Sequence, residues 1–355
     1  MLQMIIYGML VLSNAEQVRE KEAMEFLNSK WEVTDESFLE YDENGNHIKP
    51  QFVKRIYVSR GHDRYPDGRD RVHPIDQEFL DALQNLSRLE SIDWSNKVFF
   101  AEGLRISLDS WPCLQEINFA KDLAKYTLES VFDMFCQEIS HSKSLRELTI
   151  EIQNTTHLTA ILQAENLENL RLHYCGEWSV EATLGAKKLR ELNLRHFSPT
   201  CGVLTDESLI AISHLSALEK LVIDLKDDHQ LELLLPLKDT LKYLRIRGDG
   251  ITSDAAKTIS QCTKLKSLDI SNTSVDDRFI EAIHEMPLLC LVLINTNVTD
   301  ECVKYFQNWD SIREVVFPPV NFPPFKSLMT EKGGKFLDSI PNKRMWWNGV
   351  PMLGW

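Results

Sequence analysis

Apolar residues in this chain alternate over very short stretches, stop, and then return in the same arrangement. Leu265, Leu268 and Ile270 are followed by Thr273 and Val275. Leu288, Leu291, Leu293, Thr296 and Val298 repeat that set 23 positions later, and Leu241, Leu244, Ile246, Asp249 and Ile251 precede it. Repetition at a fixed period in this range marks a stacked solenoid. In L-x-L the apolar side chains share one face of a short strand, and the residues between them take the other face. After each strand a small polar residue turns the chain and an aliphatic residue dips inward. Apolar residues at helical spacing follow: Phe279, Ile280 and Ile283, then Val303 and Phe306. Such a unit is too small to bury its own apolar face, so neighbours must stack into one continuous column.

The pattern predicts strand cores at Leu89-Ile92-Trp94, Leu114-Ile117-Phe119, Leu145-Leu148-Ile150, Leu167-Leu170-Leu172 and Leu189-Leu192-Leu194. It continues at Leu218-Leu221-Ile223, Leu241-Leu244-Ile246, Leu265-Leu268-Ile270, Leu288-Leu291-Leu293 and Ile312-Val315-Phe317. Two long steps carry longer helical segments, Lys121 to Ser142 with Val131, Phe132 and Phe135, and Phe197 to His214. Two steps of 22 residues, from Leu145 and from Leu167, leave short or irregular turns. Leu204-Thr205-Asp206, Ile251-Thr252-Ser253-Asp254 and Val275-Asp276-Asp277 recur before helical runs, where Thr, Ser and Asp cap a helix and set negative charge at its positive end. The recurring T-D is therefore read as a structural device.

The motif L-x-x-L-x-L-x-x-(N/C/T)-x-(L/V/I) resembles the leucine-rich repeat family. The resemblance covers Asp76 to Val320, about ten repeats. It implies an α/β solenoid, a curved horseshoe with parallel strands on the concave face and helices and turns on the convex face. The short period and the cysteines look similar to the repeats of F-box substrate receptors, and the V/I-T-D rhythm to bacterial leucine-rich repeat proteins of unassigned role. Residues 1–75 carry no recognisable F-box.

The flanks break the rhythm. Residues 1–75 read as an apolar segment, a helix and an irregular first repeat that caps the stack. Met1 to Ala15 is largely apolar, without Lys or Arg, and Ser13-Asn14-Ala15 has the form of a cleavage site. A cytoplasmic location follows if this segment stays, and a secreted or periplasmic one if it is a cleaved signal. Glu16 to Lys30 is expected to form an amphipathic helix with Val18, Ala23, Phe26 and Leu27 on one side, and a strand is expected around Val53, Ile56 and Val58. Val33-Thr34-Asp35-Glu36 echoes Val298-Thr299-Asp300-Glu301, and Gly61 to Pro74 reads as a loop. Pro318, Pro319, Pro323 and Pro324 stop the pattern, leaving 321–355 as a Trp-rich cap or an exposed docking tail.

Composition narrows the function. A net charge of −14 argues against general binding to nucleic acid or anionic membrane, which needs clustered positive charge. No apolar run is long enough to span a bilayer. The seven cysteines are odd in number, form no C-x-x-C pair and read as free, apolar-like thiols. His62, Asp63, His73 and Asp76 lack metal-ligand spacing. Carboxylate pairs such as Asp227-Asp228 read as solvated turns. No P-loop, dinucleotide, zincin or nucleophile-elbow motif occurs, so no catalytic residue, metal or cofactor is assigned.

The residues flanking the strand leucines point outward from the concave face. In the four strands from Leu167 to Arg247 they are Asn169-Arg171-His173, Glu191-Asn193-Arg195, Lys220-Val222-Asp224 and Tyr243-Arg245-Arg247. Five of these twelve are Lys or Arg, where 39 in 355 would place between one and two. Arg171, His173, Asn193, Arg195, Lys220, Tyr243, Arg245 and Arg247 are the candidate partner-binding residues, suited to a protein with an acidic segment. Glu116, Glu147 and Glu151 precede the patch, Asp269 follows it, and Val292, Ile294 and Val316 continue the face as an apolar area, either a second contact or one covered by the tail. The main reading is a non-catalytic protein-interaction module. The F-box resemblance implies an alternative, a substrate-recognition subunit of a ubiquitin-ligase-like complex. A catalytic effector acting through residues 1–75 or the tail has no motif behind it.

Overall fold

The computed structural model describes residues 2–31, 33–35, 53–58, 73–94, 98–119, 127–152, 154–173, 177–194, 204–317, 328, 330–340 and 344–346. The chain divides into two compact units, Met1–Tyr174 and Cys175–Trp355.

In the first unit a helix runs from Leu2 to Trp31. Strands follow at β1 (Val33–Asp35), β2 (Arg55–Val58), β3 (His73–Ile75), β4 (Ser91–Trp94), β5 (Val98–Phe100), β6 (Glu116–Phe119), β7 (Glu147–Glu151) and β8 (Asn169–His173). β2, β4, β6, β7 and β8 pair in that order, all parallel. β1 lies antiparallel on β2, so Val33-Thr34-Asp35 is a strand rather than a helix cap. β3 pairs with β5, which places His73 and Pro74 in a strand rather than in the expected loop. His62 and Asp63 lie outside the described residues. Asp76 caps the helix Gln77–Gln84 by accepting from the Phe79 N–H at 2.9 Å.

Inward residues of this unit meet in an aromatic column. Trp94 stacks on Phe119 at 4.5 Å, and Phe135 meets Phe119 edge-on at 5.4 Å. Phe135 and Phe132 come from the helix Glu129–His141, where the first long step predicted one. The first 22-residue step is more regular than expected, because Asn154 caps an eight-residue helix, Thr155–Leu162. In the N-terminal helix the buried stripe is Glu20, Ala23 and Leu27, at helical spacing, while Val18 is exposed. Glu20 accepts from the Val53 N–H at 3.1 Å, and burial raises its carboxyl above the ordinary value.

The second unit is a single parallel ladder. Its strands are β9 (Glu191–Asn193), β10 (Lys220–Asp224), β11 (Tyr243–Arg247), β12 (Ser267–Asp269), β13 (Cys290–Val292), β14 (Glu314–Val316) and β15 (Arg344–Trp346), each paired with the next. β15 and the helix Glu331–Asp338 add one repeat beyond residue 320. Trp347 and Trp355 lie outside the described residues.

The turn after each strand sets the stacking. Asn272 and Asn295 take left-handed backbone (φ 59° and 58°), and the Asn295 side-chain Nδ2 donates to Asn272 Oδ1 at 3.1 Å. Gly248 holds the equivalent place, where a Cβ would fall 1.9 Å from the Leu225 carbonyl oxygen. Behind the strands, Phe279, Ile280 and Ile283 are fully buried.

The Thr/Asp rhythm does more than cap. Thr205, Asp227, Thr252, Asp276 and Thr299 each accept from a backbone N–H two or three residues on. The residue after the cap then reaches the cap of the next repeat. Asp228 accepts from Thr252 N and Oγ1 (2.9 and 2.5 Å), and Asp277 accepts from Thr299 N and Oγ1 (2.8 and 2.6 Å). Asp300 accepts likewise from Thr330, while Ser253 donates to Asp276 at 2.6 Å. The carboxylate pairs read as solvated turns are therefore bonds between repeats.

Candidate functional site

Because alternate residues of a strand point to opposite faces, Lys220, Val222 and Asp224 share the outward face of β10, and Tyr243, Arg245 and Arg247 that of β11. The register sets Lys220 beside Glu191 on one side and Tyr243 on the other, and Arg245 between Val222 and Asp269. These are rigid positions, held on both sides by main-chain ladders.

The charges are largely answered from neighbouring strands. Lys220 Nζ lies 3.0 Å from Glu191 Oε2 and 5.4 Å from the Tyr243 ring centroid. Arg245 Nε lies 2.8 Å from Asp269 Oδ2, an ion pair off the hydrogen-bond axis. Asp269 is buried, and its other oxygen accepts from Ser271 N and Oγ at 3.0 and 2.5 Å. Arg247 has Asp224 opposite it in the ladder. Burial lowers the Arg247 guanidinium below its ordinary value, and the nearby Arg245 pushes the same way. The Nε of Arg247 and the Oδ1 of Asn193 are buried without a hydrogen-bond partner among the described residues.

Of the eight candidates, Asn193, Lys220, Tyr243, Arg245 and Arg247 come together in the second unit. Arg171 and His173 belong to β8 of the first unit, opposite Thr149 and Glu151. Arg195 lies outside the described residues. The partners that the candidate set lacks are Glu191, one of the twelve outward positions, and Asp269, read as a flanking acid. Their signal is the register: Asp269 follows Arg245 by 24 positions, one repeat.

Beyond β12 the face is covered at its apolar area. Val292, Val316 and Cys290 form a buried cluster with Ile294 packed on it, so the apolar area is not an open contact surface. The strand face of the first unit is acidic instead. Asp93, raised by burial, accepts from Asn118 Nδ2 at 2.8 Å, and Glu116 accepts from Ser91 Oγ at 3.0 Å. Among the described residues no group of three or more His, Cys, Asp or Glu side chains is placed to hold a metal, and no helix is long and apolar enough to cross a membrane.

One short strand per repeat, an Asn or Gly left-handed turn, and a capped helical segment behind it recur along the second ladder. The fold is an α/β leucine-rich-repeat solenoid.

No protein-family model matches the sequence, and no curated protein does. Among solved structures the chain is similar to TLR13 in a TLR13–ssRNA13 complex, at 17% identity and a TM-score of 0.49 over 77% of this chain and 38% of that one. The chain thus spans well under half of the TLR13 chain. It is also similar to an internalin, inlF, from Listeria monocytogenes str. 4b F2365, at 14% identity and a TM-score of 0.38 over 81% of this chain and 96% of that one.

Proposed function

We propose that this chain is a non-catalytic binding module that holds a partner protein on the outward strand face of its second unit, across β9 to β12. The observation that carries this reading is the stripe Lys220, Tyr243, Arg245 and Arg247. It joins an aromatic ring with arginines, the residue types richest in interface hot spots, on a backbone that has nothing left to order on binding. The chain's net charge of −14 disfavours general binding to nucleic acid, which needs clustered positive charge.

Ser267 lies beside Tyr243 in the ladder and projects from the same face. A photo-crosslinking residue at 267 is expected to trap the partner from the native source, and the same probe at Lys257, on the helical segment behind, is not. Ser267→Trp, confirmed folded by circular dichroism, is expected to abolish capture. Equal crosslinking from both positions, or unchanged capture by Ser267→Trp, would overturn the reading. Captured ubiquitin-ligase components that persist in Ser267→Trp would place docking elsewhere on the chain and overturn it as well.

A further inference from the structure

Among the described residues of β10 and β11, one guanidinium is outside the ion pairs. Lys220 is held by Glu191 and Arg245 by Asp269, but Arg247 forms no ion pair among the described residues, although Asp224 lies opposite it. Arg245 and Arg247 are two apart on one strand, so they stand on the same side, ~7 Å apart at their backbones. Asp269 grips Arg245 from one side at Nε, and Ser271 fixes Asp269 in turn. That contact is at Nε, and no ion pair at the two terminal nitrogens of Arg245 is found among the described residues. Burial first and the like charge of Arg245 second hold the Arg247 guanidinium below its ordinary value, against the opposite pull of Asp224 and Asp269. An oxygen anion set between them would relieve that repulsion and fill both forks. A carboxylate fits because guanidinium and carboxylate match as planar, two-pronged partners.

A second group in the same row says what carries the carboxylate. Asn193 lies two strands away in register, with Val222 between it and Arg245. Its Oδ1 is a buried acceptor with no donor among the described residues. A peptide brings backbone N–H groups to such an acceptor, whereas a phosphodiester backbone brings none. Val222 between them is buried, so the polar groups on either side of it are what a partner would meet.

We propose that Arg245 and Arg247 form the receptor for an Asp or Glu side chain of the partner, which lies across β9, β10 and β11 as an acidic peptide segment. This rests on reading the strand face as the docking surface.

The test uses the full chain and fluorescein-labelled hexaglutamate, read by fluorescence anisotropy. Hexaglutamate is expected to bind the wild type, and hexaglutamine is not. Arg247→Gln is expected to weaken hexaglutamate at least ten-fold while keeping the wild-type melting temperature within a few degrees. Arg247→Lys, which keeps the charge but loses the fork, is expected to retain part of the affinity and guards against a folding artefact. The inference is overturned if the wild type does not bind hexaglutamate, if hexaglutamine binds equally, or if Arg247→Gln changes nothing. It is also overturned if a hexathymidylate binds more tightly than hexaglutamate, because the site would then be an anion site for nucleic acid. The two readings fail separately: if Ser267→Trp abolishes partner capture and Arg247→Gln leaves it intact, the strand face still docks the partner and only the carboxylate receptor falls.

Discussion

Asp277 and Asp254 both stand in the first turn of a helical segment, yet only one should matter for stability. Both oxygens of Asp277 leave their own repeat and accept from Thr299 N (2.8 Å) and Thr299 Oγ1 (2.6 Å). Asp254 reaches Lys257 at 2.9 Å, with the two side chains 79% and 74% exposed. Each aspartate gains about 0.3–1 kcal/mol from the positive helix end, so that contribution cancels between them. What remains for Asp277 is two charge-assisted hydrogen bonds, about 1.5–3 kcal/mol each if fully buried. Partial exposure of the site reduces the pair to about 2–3 kcal/mol in all. Asp277→Ala is therefore expected to destabilise by that amount, and Asp254→Ala by less than about 0.5 kcal/mol. Urea unfolding should show the Asp277 loss as a lower midpoint at unchanged slope. A double-mutant cycle with Thr299→Val should return a coupling of about 1–2 kcal/mol, since the two side chains touch. Because a stacked array couples only nearest neighbours, amide exchange should quicken at Thr299 and stay unchanged at Thr252, which Asp228 holds at 2.9 Å. Equal costs for the two aspartates, or a coupling of zero, would refute the idea that carboxylates bind one repeat to the next.

Other outcomes follow from single side chains. Burial raises the Glu20 carboxyl, so ionising it costs more in the folded protein than in the unfolded chain. That penalty is absent below the unfolded glutamate value, ~4.3, and is fully present once pH has risen through the folded value. Glu20→Gln should therefore raise the melting temperature at pH 7 and not at pH 3.5, and equal shifts at both would count against it. Asn272 sits at φ 59°, so Asn272→Val should cost about 1–2 kcal/mol in a melt while Asn272→Gly costs less; the opposite order would show that the turn is unstrained. Burial pushes the thiols of Cys262 and Cys290 up to about 11 and those of Cys136 and Cys302 further still. Native alkylation at neutral pH should reach the half-exposed Cys113 and spare these four, as peptide mass spectrometry would show.

The ten strand cores read from the sequence all appear as strands, because alternation and period agree wherever a repeat is regular. The repeat ending in β15 was hidden. Four prolines and a 30-residue step from Glu314 to Arg344 break the rhythm that made the others legible. In the N-terminal stripe Ala23 and Leu27 are buried as read, but Val18 is exposed, and a buried glutamate, Glu20, occupies a position that hydropathy assigns to solvent. At the candidate site the residue types were visible but their neutralisation was not. Glu191 is 29 positions from Lys220 and Asp269 is 24 from Arg245, so only the strand register shows which acid faces which base. The same limit hid the bonds between repeats, since Asp277 and Thr299 look like two separate caps until the stack is assembled.

Those bonds also make the chain's length editable. Removing the 23 residues Asp277–Thr299 would join Asp276 directly to Asp300. Asp276 would keep Ser253 on one side, and Asp300 would keep Thr330 on the other. A repeat bounded this way carries half a fastener at each end, and the two halves match. Unequal recombination, or a deliberate excision, could then shorten or lengthen the array by whole modules without leaving a loose joint. The part of the gene that encodes these repeats can thus vary in copy number while Tyr243, Arg245 and Arg247, upstream of the cut, are left untouched.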